Sequence, residues 1–328
     1  MSTTFSALRI NHKGSIEELH IEQLPFPELQ EGFVLIKVEC STINPSDYLN
    51  ILGHYPGGDA PLTPGFEGSG TVTKSGGGSL ADSLLNKRVT FIASGTWAEY
   101  TVASATSVFP LLDSITFEQG ASLNINPLTV ALFIEKVKLR PSKAFVQNAG
   151  ASALAKQFIR WSQRLGITSI NLVRRQEQVD LLKSFGAEYV FNTSEDGWKN
   201  KAKEIATQFG VTVGFDAIGG KDTQDLADII GYKGVVYNYG LLSGKSCEMG
   251  PASLQFQDKR LKGLWLSAWF KVTDYEKKLE ASMSVQQNID VLGTEYGHTV
   301  SLGNVKTALA SYLQNATNNK VLIRTIVE

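Results

Sequence analysis

"VQNAGASALAK", residues 146 to 156, lies where the apolar stretch "AFVQ" gives way to a helical pattern running to about Leu165. A loop at such a junction presents main-chain N–H groups and the positive end of a helix dipole, a ready setting for a phosphate. A dinucleotide turn wants small residues for the tight turn, for close approach of backbone to pyrophosphate, and for packing of helix on strand. This loop holds a single glycine, Gly150, with Ser152 and Ala155 where glycine is expected. Yet Gly150, Ala151, Ser152, Ala153 and Ala155 are all small, and amide donation requires glycine only if a positive φ is demanded. Asn148, Gly150, Ala151, Ser152, Ala153 and Leu154 are therefore the candidate phosphate-loop residues.

Outward from this loop the chain keeps a regular beat. After the helix and Gly166 come the strand "SINLV", a helix from about Gln176 to Phe185, Gly186 and the strand "EYVF". A helix ending near Phe209 and Gly210 then precedes "VTVGFDAIGG", the helix "TQDLADII" and the strand "GVVYNYG". In the first helix Leu154, Phe158, Trp161 and Leu165 recur at helical spacing and make an apolar stripe. Each helix stops at a glycine, which suits a left-handed end. Strict alternation predicts right-handed crossovers and a doubly wound parallel sheet covered on both faces.

Roughly the first 120 residues differ. "TFSALRI", "FVLIKVECSTI", "GSGTVT", "KRVTFIAS" and "WAEYTVA" are short strands divided by Gly, Pro and Asn turns, which predicts a closed or barrel-like sheet. "SGGGS" at residues 75 to 79 is expected to be a loop rather than a phosphate cradle, because no Lys-Ser/Thr pair follows it. After Trp269 come the helical stretches "YEKKLEASMSVQQNIDVL" and "GNVKTALASYLQNA" and a last strand, "KVLIRTIV", which we assign back to the first domain.

Composition narrows the function class. Charged residues are 19% of the 328, and the formal net charge is −1, so no basic footprint points to nucleic acid or to an anionic membrane. The expected partner is a small-molecule substrate. No apolar run reaches the length of a membrane span. Cys40 and Cys247 stand far apart, which argues against a disulfide scaffold or a cysteine zinc cluster and favours a reducing compartment. Arg9 and Lys13 among Ser and Thr faintly resemble a matrix-targeting signal, but "TFSALRI" fits a strand better. The cytoplasm is the expected location, with the mitochondrial matrix as the alternative.

The second strand of the alternating region ends in Arg174-Arg175. An NAD site ends it with an acid that accepts from the ribose 2′-hydroxyl, whereas a guanidinium pairs with a 2′-phosphate through a bidentate fork. NADPH is the expected cofactor, with Arg174 the contact and Arg175 its neighbour. Tyr239 and Gly240 end a later strand at the carboxyl edge of the sheet, where ligands of such folds sit.

With "INPSDYLNILGHYP", "PGFEGSGTV", "GTWAEY" and "INPLTVAL" in the N-terminal part, the chain resembles the medium-chain dehydrogenase/reductase superfamily over nearly its whole length. The resemblance implies an α/β protein with a GroES-like β-rich catalytic domain, residues 1–123 and 270–328. A Rossmann NADPH-binding domain, residues 124–269, completes it. It also implies a homodimer. Zinc alcohol dehydrogenases of the superfamily carry a cysteine shortly before the aspartate of the first block and a histidine before the glutamate of the second. Here those places hold Asn44 and Phe66, no cysteine lies near "NINPLT", and the structural-zinc lobe is missing, so a metal-free protein is expected. "LNKRV" also departs from the Gly-Asp usual before that strand.

Without a Lewis acid, reduction of an isolated ketone leaves alkoxide charge to hydrogen bonds alone, whereas a conjugated acceptor spreads it over an enolate or aromatic oxygen. Within the superfamily "INPSDYLNILGHYP", "QNAGASALAK", "INLVRR" and "DKRLKGLWLSAW" resemble the 2-enoyl thioester reductases, with the quinone reductases beside them. The resemblance implies Tyr55, in the "G-x-Y-P" segment, as proton donor or enolate stabiliser, and a phenol with its ordinary pKa of about 10 is a neutral donor at pH 7. It also places Asn44 at the catalytic centre, Asn126 and Thr129 near the nicotinamide or acyl pocket, and Trp265 and Trp269 along the acyl side. His54, beside Tyr55, is expected to be an exposed loop histidine. Three functions follow: a reductase of 2-enoyl thioesters, an NADPH:quinone oxidoreductase, or an NADPH-binding sensor or structural subunit that has lost catalysis.

Overall fold

The computed structural model describes residues 3–314 and 320–326. In chain order its elements are β1 (Thr4–Arg9), β2 (His20–Pro25), β3 (Phe33–Thr42), α1 (Pro45–Ile51), β4 (Glu67–Ser75), α2 (Ser79–Ser83), β5 (Arg88–Ile92), β6 (Tyr100–Ser104), β7 (Val108–Pro110), α3 (Phe117–Gly120) and α4 (Ile125–Lys138). Next come β8 (Ala144–Gln147), α5 (Ala153–Arg164), β9 (Thr168–Val173), α6 (Gln176–Ser184), β10 (Tyr189–Asn192), α7 (Trp198–Gln208), β11 (Val213–Asp216), α8 (Lys221–Ile229), β12 (Val235–Asn238), β13 (Arg260–Gly263) and α9 (Leu266–Val272). The tail holds α10 (Tyr275–Gln287), α11 (Ile289–Leu292), β14 (His298–Ser301), α12 (Val305–Gln314) and β15 (Val321–Arg324). The chain forms two compact units, Met1–Leu128 with Thr273–Glu328, and Thr129–Val272. The resemblance implies breaks at 123/124 and 269/270; the contacts put them a few residues later, inside α4 and at the end of α9.

The second unit is the doubly wound sheet. Six strands run parallel in the order β10-β9-β8-β11-β12-β13, which in the unit's own count is 3-2-1-4-5-6, the Rossmann order with its switch between β8 and β11. Both faces are covered, so the central strands are buried along their length: all of Ala144–Gln147 is buried. Phe145 of β8 stacks on Phe158 of α5 at 3.9 Å, and Phe133 stacks on Phe215 of β11 at 4.3 Å. The buried face of α5 is Ala155, Phe158, Ile159 and Trp161; Leu165, expected in that stripe, is its C-cap and stays 37% exposed. Gly166, Gly186 and Gly210 take positive φ after α5, α6 and α7 as expected. After α8 the chain leaves through an extended Ile230, so Gly231 needs no such conformation.

The first unit is a seven-stranded sheet in the order β14-β15-β3-β4-β5-β7, with β6 also on β3, plus the β1-β2 hairpin. β3 is the organiser because one edge serves two partners: Phe33–Lys37 pair with β6, and Cys40–Thr42 pair with β15. Register shifts against β4 at Leu35/Ile36 and Val38/Cys40 bend it between the two. The expectation of a closed sheet is met only in part, since the path runs from β14 to β7 without those strands pairing. "SGGGS", expected as a loop, contributes the end of β4, two left-handed glycines and the first residue of α2. The segment "TFSALRI", weighed as targeting signal or strand, is β1.

Candidate active site

The Tyr55 segment begins with α1. Pro45 opens the helix, where a missing N–H costs nothing, and Asn44 and Asp47 form a capping box: the Asn44 amide donates to Asp47 Oδ2 at 2.6 Å. Gly53, at φ +82°, ends α1; its N–H donates to the Asn50 carbonyl at 3.1 Å and the His54 N–H to that of Leu49 at 2.8 Å. This paired closure needs a left-handed residue, which explains the glycine of "G-x-Y-P" and turns the chain at once into Tyr55. Tyr55 is half-buried, its ring 5.8 Å from that of Phe66, while His54 is exposed, as expected.

Beneath this segment lies a buried polar cluster. Glu67, 1% exposed at the start of β4, accepts four hydrogen bonds: from Asn44 Nδ2 (2.8 Å), Thr42 Oγ1 (3.2 Å) and the amides of Asn124 (3.2 Å) and Ile125 (2.9 Å). Lys320, also buried, donates to Asn44 Oδ1 at 2.5 Å and to the Ile43 carbonyl at 2.9 Å. Burial pushes the Asp47 carboxyl up to about 7, against the lowering effect of the Asn44 amide and of Lys320. Burial likewise drives the Lys320 ammonium down, partly offset by Glu67 and Asp47.

Asn44 therefore differs from its expected catalytic place. Its Oδ1 and Nδ2 are engaged by Lys320, Glu67 and Thr42, so it joins the cluster rather than facing a substrate. Asn126 is half-buried; in "NINPLT" the asparagine that the fold uses here is Asn124, which sequence reasoning missed along with Asp47, Glu67 and Lys320. The missed signal was an acid in each of two quoted motifs, "NPSD" and "GFEG", within an apolar setting.

In the second unit the loop after β8 answers the glycine question. The one left-handed residue there is Ala149, at φ 48°, not Gly150 or Ser152. Ser152 is the N-cap of α5, extended at φ −68° and ψ 159°, with its Oγ accepting from the Ala155 amide at 3.2 Å. Gly150 lies against β9, its N–H on the Leu172 carbonyl at 3.0 Å; a Cβ there would sit 3.3 Å from Asn171, Leu172 and Leu182 atoms. Ala151 is buried below the loop, whereas the amides of Ala151, Ala153 and Leu154 have no acceptor among the described residues. Asn148, expected as a cofactor contact, braces the switch point: Nδ2 donates to Asp216 at 2.7 Å and Oδ1 accepts from the Ala217 amide at 2.8 Å.

Arg174 follows β9, exposed; its backbone bonds Gln178 and Ser194, and its guanidinium makes no ion pair among the described residues. Arg175 instead pairs with Glu177 at 3.1 Å. Gly240 passes so near β11 that a Cβ would lie 2.5 Å from the Ala217 carbonyl oxygen. Beside it the buried Tyr239 hydroxyl has no hydrogen-bond partner among the described residues, and its ring meets Phe133 edge-on at 4.7 Å. Thr129 is buried on α4. Trp265 is 39% exposed just before α9; Trp269, on α9, packs edge-on against Phe270 at 5.3 Å.

A strand-rich unit of this topology joined to a Rossmann unit defines the class. Residues 30–113 match the alcohol dehydrogenase GroES-like domain and residues 157–287 the zinc-binding dehydrogenase family. A solved structure from Mesorhizobium loti, provisionally named an NADPH:quinone reductase, is 31% identical, covers 99% of each chain and superposes with a TM-score of 0.91. Mitochondrial enoyl-[acyl-carrier-protein] reductases are also similar: one from Caenorhabditis elegans is 26% identical over 94% of this chain and 92% of its own, and one from Arabidopsis thaliana 29% over 83% and 75%. The chain belongs to the medium-chain dehydrogenase/reductase superfamily. The zinc in one family name does not fit this chain: Phe66 has no donor atom, and Asn44 is held by Lys320 and Glu67. Among the described residues no group of three His, Cys, Asp or Glu is placed to hold a metal ion.

Proposed function

We propose that the protein is a zinc-independent, NADPH-dependent reductase of conjugated double bonds acting on trans-2-enoyl thioesters. The observation that carries this reading is Tyr55: a phenol on a turn pinned by α1, over Phe66 where a metal-binding relative has a ligand. NADPH, when bound, supplies a hydride to the β-carbon of the acceptor. The free amides of Ala151, Ala153 and Leu154 would hold its pyrophosphate and Arg174 its 2′-phosphate, while Gly240 lets its loop close on the Ala217 backbone at the carboxyl edge of the sheet. The Tyr55 hydroxyl then donates to the enolate and can hold its developing charge.

The test follows NADPH oxidation with a short trans-2-enoyl-CoA and, in parallel, a simple quinone. Turnover of the thioester that falls about 10²-fold or more in Tyr55→Phe, with NADPH affinity unchanged, supports the reading. A quinone needs no dedicated proton donor, so turnover of quinone alone, silent to Tyr55→Phe, makes the protein a quinone oxidoreductase. NADPH binding with no turnover of either makes it a sensor or structural subunit.

We assign the homodimer contact to β13, an edge strand exposed along its whole length and flanked by exposed Leu254, Phe256 and Trp265. Such an edge invites pairing with a second copy. Sedimentation should give a dimer that Leu261→Pro dissociates. No helix among the described residues is long and apolar enough to cross a membrane. The relatives' mitochondrial names keep the matrix beside the cytoplasm as a location for this reading.

A further inference from the structure

Tyr55 can serve as a donor only if the turn that carries it is held still, and a buried side chain reaches that turn. Asn50, on the last turn of α1, is 2% exposed, and its Nδ2 reaches past the helix end to donate to the Tyr55 carbonyl at 3.3 Å. From the other side Gly57 closes on the same group: a Cβ at 57 would collide with Asn50 Nδ2 and stand 3.0 Å from the Phe66 ring. Gly57 has no positive φ, so what it provides is room and not backbone freedom. Farther along, Lys13 Nζ donates to the Gly58 carbonyl at 2.5 Å, but both groups are exposed, and an exposed contact of this kind contributes little. The half-buried Asn50 contact is therefore the firmer of these two holds on the turn.

We propose that Asn50, with Gly57 seated against its amide, is the positioning residue for Tyr55: it fixes the turn from His54 to Gly58 so that the phenol is pre-set for proton donation. This rests on the function proposed above, though not on the identity of the acceptor. An amide is suited to the role because its Nδ2 donates to the Tyr55 carbonyl while the rest of the Asn50 side chain stays buried. The two residues make one device, and disturbing either should produce the same defect. Displacement of a catalytic group by about 1 Å can cost up to 10²-fold in rate.

Two variants reach the device from opposite sides, Asn50→Leu removing the donor and Gly57→Ala pushing the amide away. Each is measured for kcat and KM with a trans-2-enoyl-CoA, for NADPH affinity, and for hydrogen exchange at the amides of His54, Tyr55, Gly57 and Gly58, alone and combined with Tyr55→Phe. Both should lower kcat about tenfold, leave NADPH affinity within about twofold, speed exchange at those amides, and add no further loss in the Tyr55→Phe background. A loss that multiplies with that of Tyr55→Phe, or unchanged exchange in both variants, overturns the proposal. If exchange quickens but Tyr55→Phe itself leaves turnover intact, the turn is positioned as described, and it is the proton-donor reading that fails.

Discussion

The loop at residues 148–154 and the cluster around Glu67 are built from different materials. The loop offers main-chain amides, and its side chains are small or turned into the protein: Ser152 caps α5, Asn148 braces Asp216, and Ala151 is buried. The cluster is made of side chains, two carboxylates and one ammonium buried with Asn44 among them. A site made of backbone tolerates changes of residue type as long as the chain path survives, whereas a buried set of charges does not tolerate loss of a single member. Gly150, Ser152 and Ala155 can therefore depart from a glycine pattern without loss of the turn, while Lys320 should admit no neutral replacement.

The largest expected effect tests the second half of that contrast. Above about pH 7, where Asp47 has lost its proton, Lys320→Met leaves Glu67 and Asp47 buried with no counter-charge and should cost about 3–5 kcal/mol, read as a lower denaturant midpoint. Adding Glu67→Gln should restore part of it; a single-variant cost under about 1 kcal/mol would show that the cluster is not held by its charges. The same cluster fixes a pH dependence. An unfolded aspartate loses its proton near the ordinary 3.8, whereas the buried Asp47 keeps its own until about 7. Its contribution to stability is therefore full below the lower value and is lost as pH rises through the upper one. The depressed Lys320 acts in the opposite sense at alkaline pH, where stability rises again toward the ordinary lysine value of 10.5. The melting temperature should fall between about pH 4 and pH 7, and that slope should flatten in Asp47→Asn.

An intermediate effect tests the backbone half. Arg174→Ala should lower NADPH affinity by about 1.5–3 kcal/mol while NADH affinity stays within about twofold. Fold stability should change by less than about 0.5 kcal/mol, because the side chain is exposed. An unchanged ratio of the two affinities would remove Arg174 from the site, and the phosphate would then be held by amides alone.

The same contrast explains what could be read from sequence. The Rossmann unit and its loop are legible because each strand, turn and helix is a local pattern, and the handedness of the crossovers makes the sheet parallel. Tyr55 is singled out by the resemblance of its "G-x-Y-P" segment, and the structure adds that Gly53 ends α1 there. The cluster joins Thr42, Asn44, Asp47, Glu67, Asn124 and Lys320, residues that only the folding of β3 against β4 and β15 brings together. No spacing rule links position 44 to position 320, so Asn44 reads from sequence as a free polar side chain and is found fully bonded. The bracing role of Asn148 is hidden for a related reason: its partners Asp216 and Ala217 arrive with β11, after five intervening elements.

The smallest effect separates the path of the loop from its composition. Ala149 sits at φ 48°, where an L-residue other than glycine is strained by about 1–2 kcal/mol. Ala149→Gly removes that strain but frees the unfolded chain, a cost of about 0.5–1 kcal/mol. The net gain should be no more than about 1 kcal/mol, seen as a small rise in melting temperature. Gly150→Ala, one residue on, should go the other way. Its backbone is unstrained, yet its Cβ must enter a gap bounded at 3.3 Å by Asn171, Leu172 and Leu182, so β9 and the loop must separate. In Ala149→Gly the amides of Ala151, Ala153 and Leu154 keep their places, so NADPH affinity should hold; in Gly150→Ala they move with the loop, and affinity should fall with stability. If instead Ala149→Gly destabilises and Gly150→Ala is neutral, the left-handed turn lies at Gly150 in solution, and the glycine-poor loop follows a more ordinary dinucleotide path than the one described here.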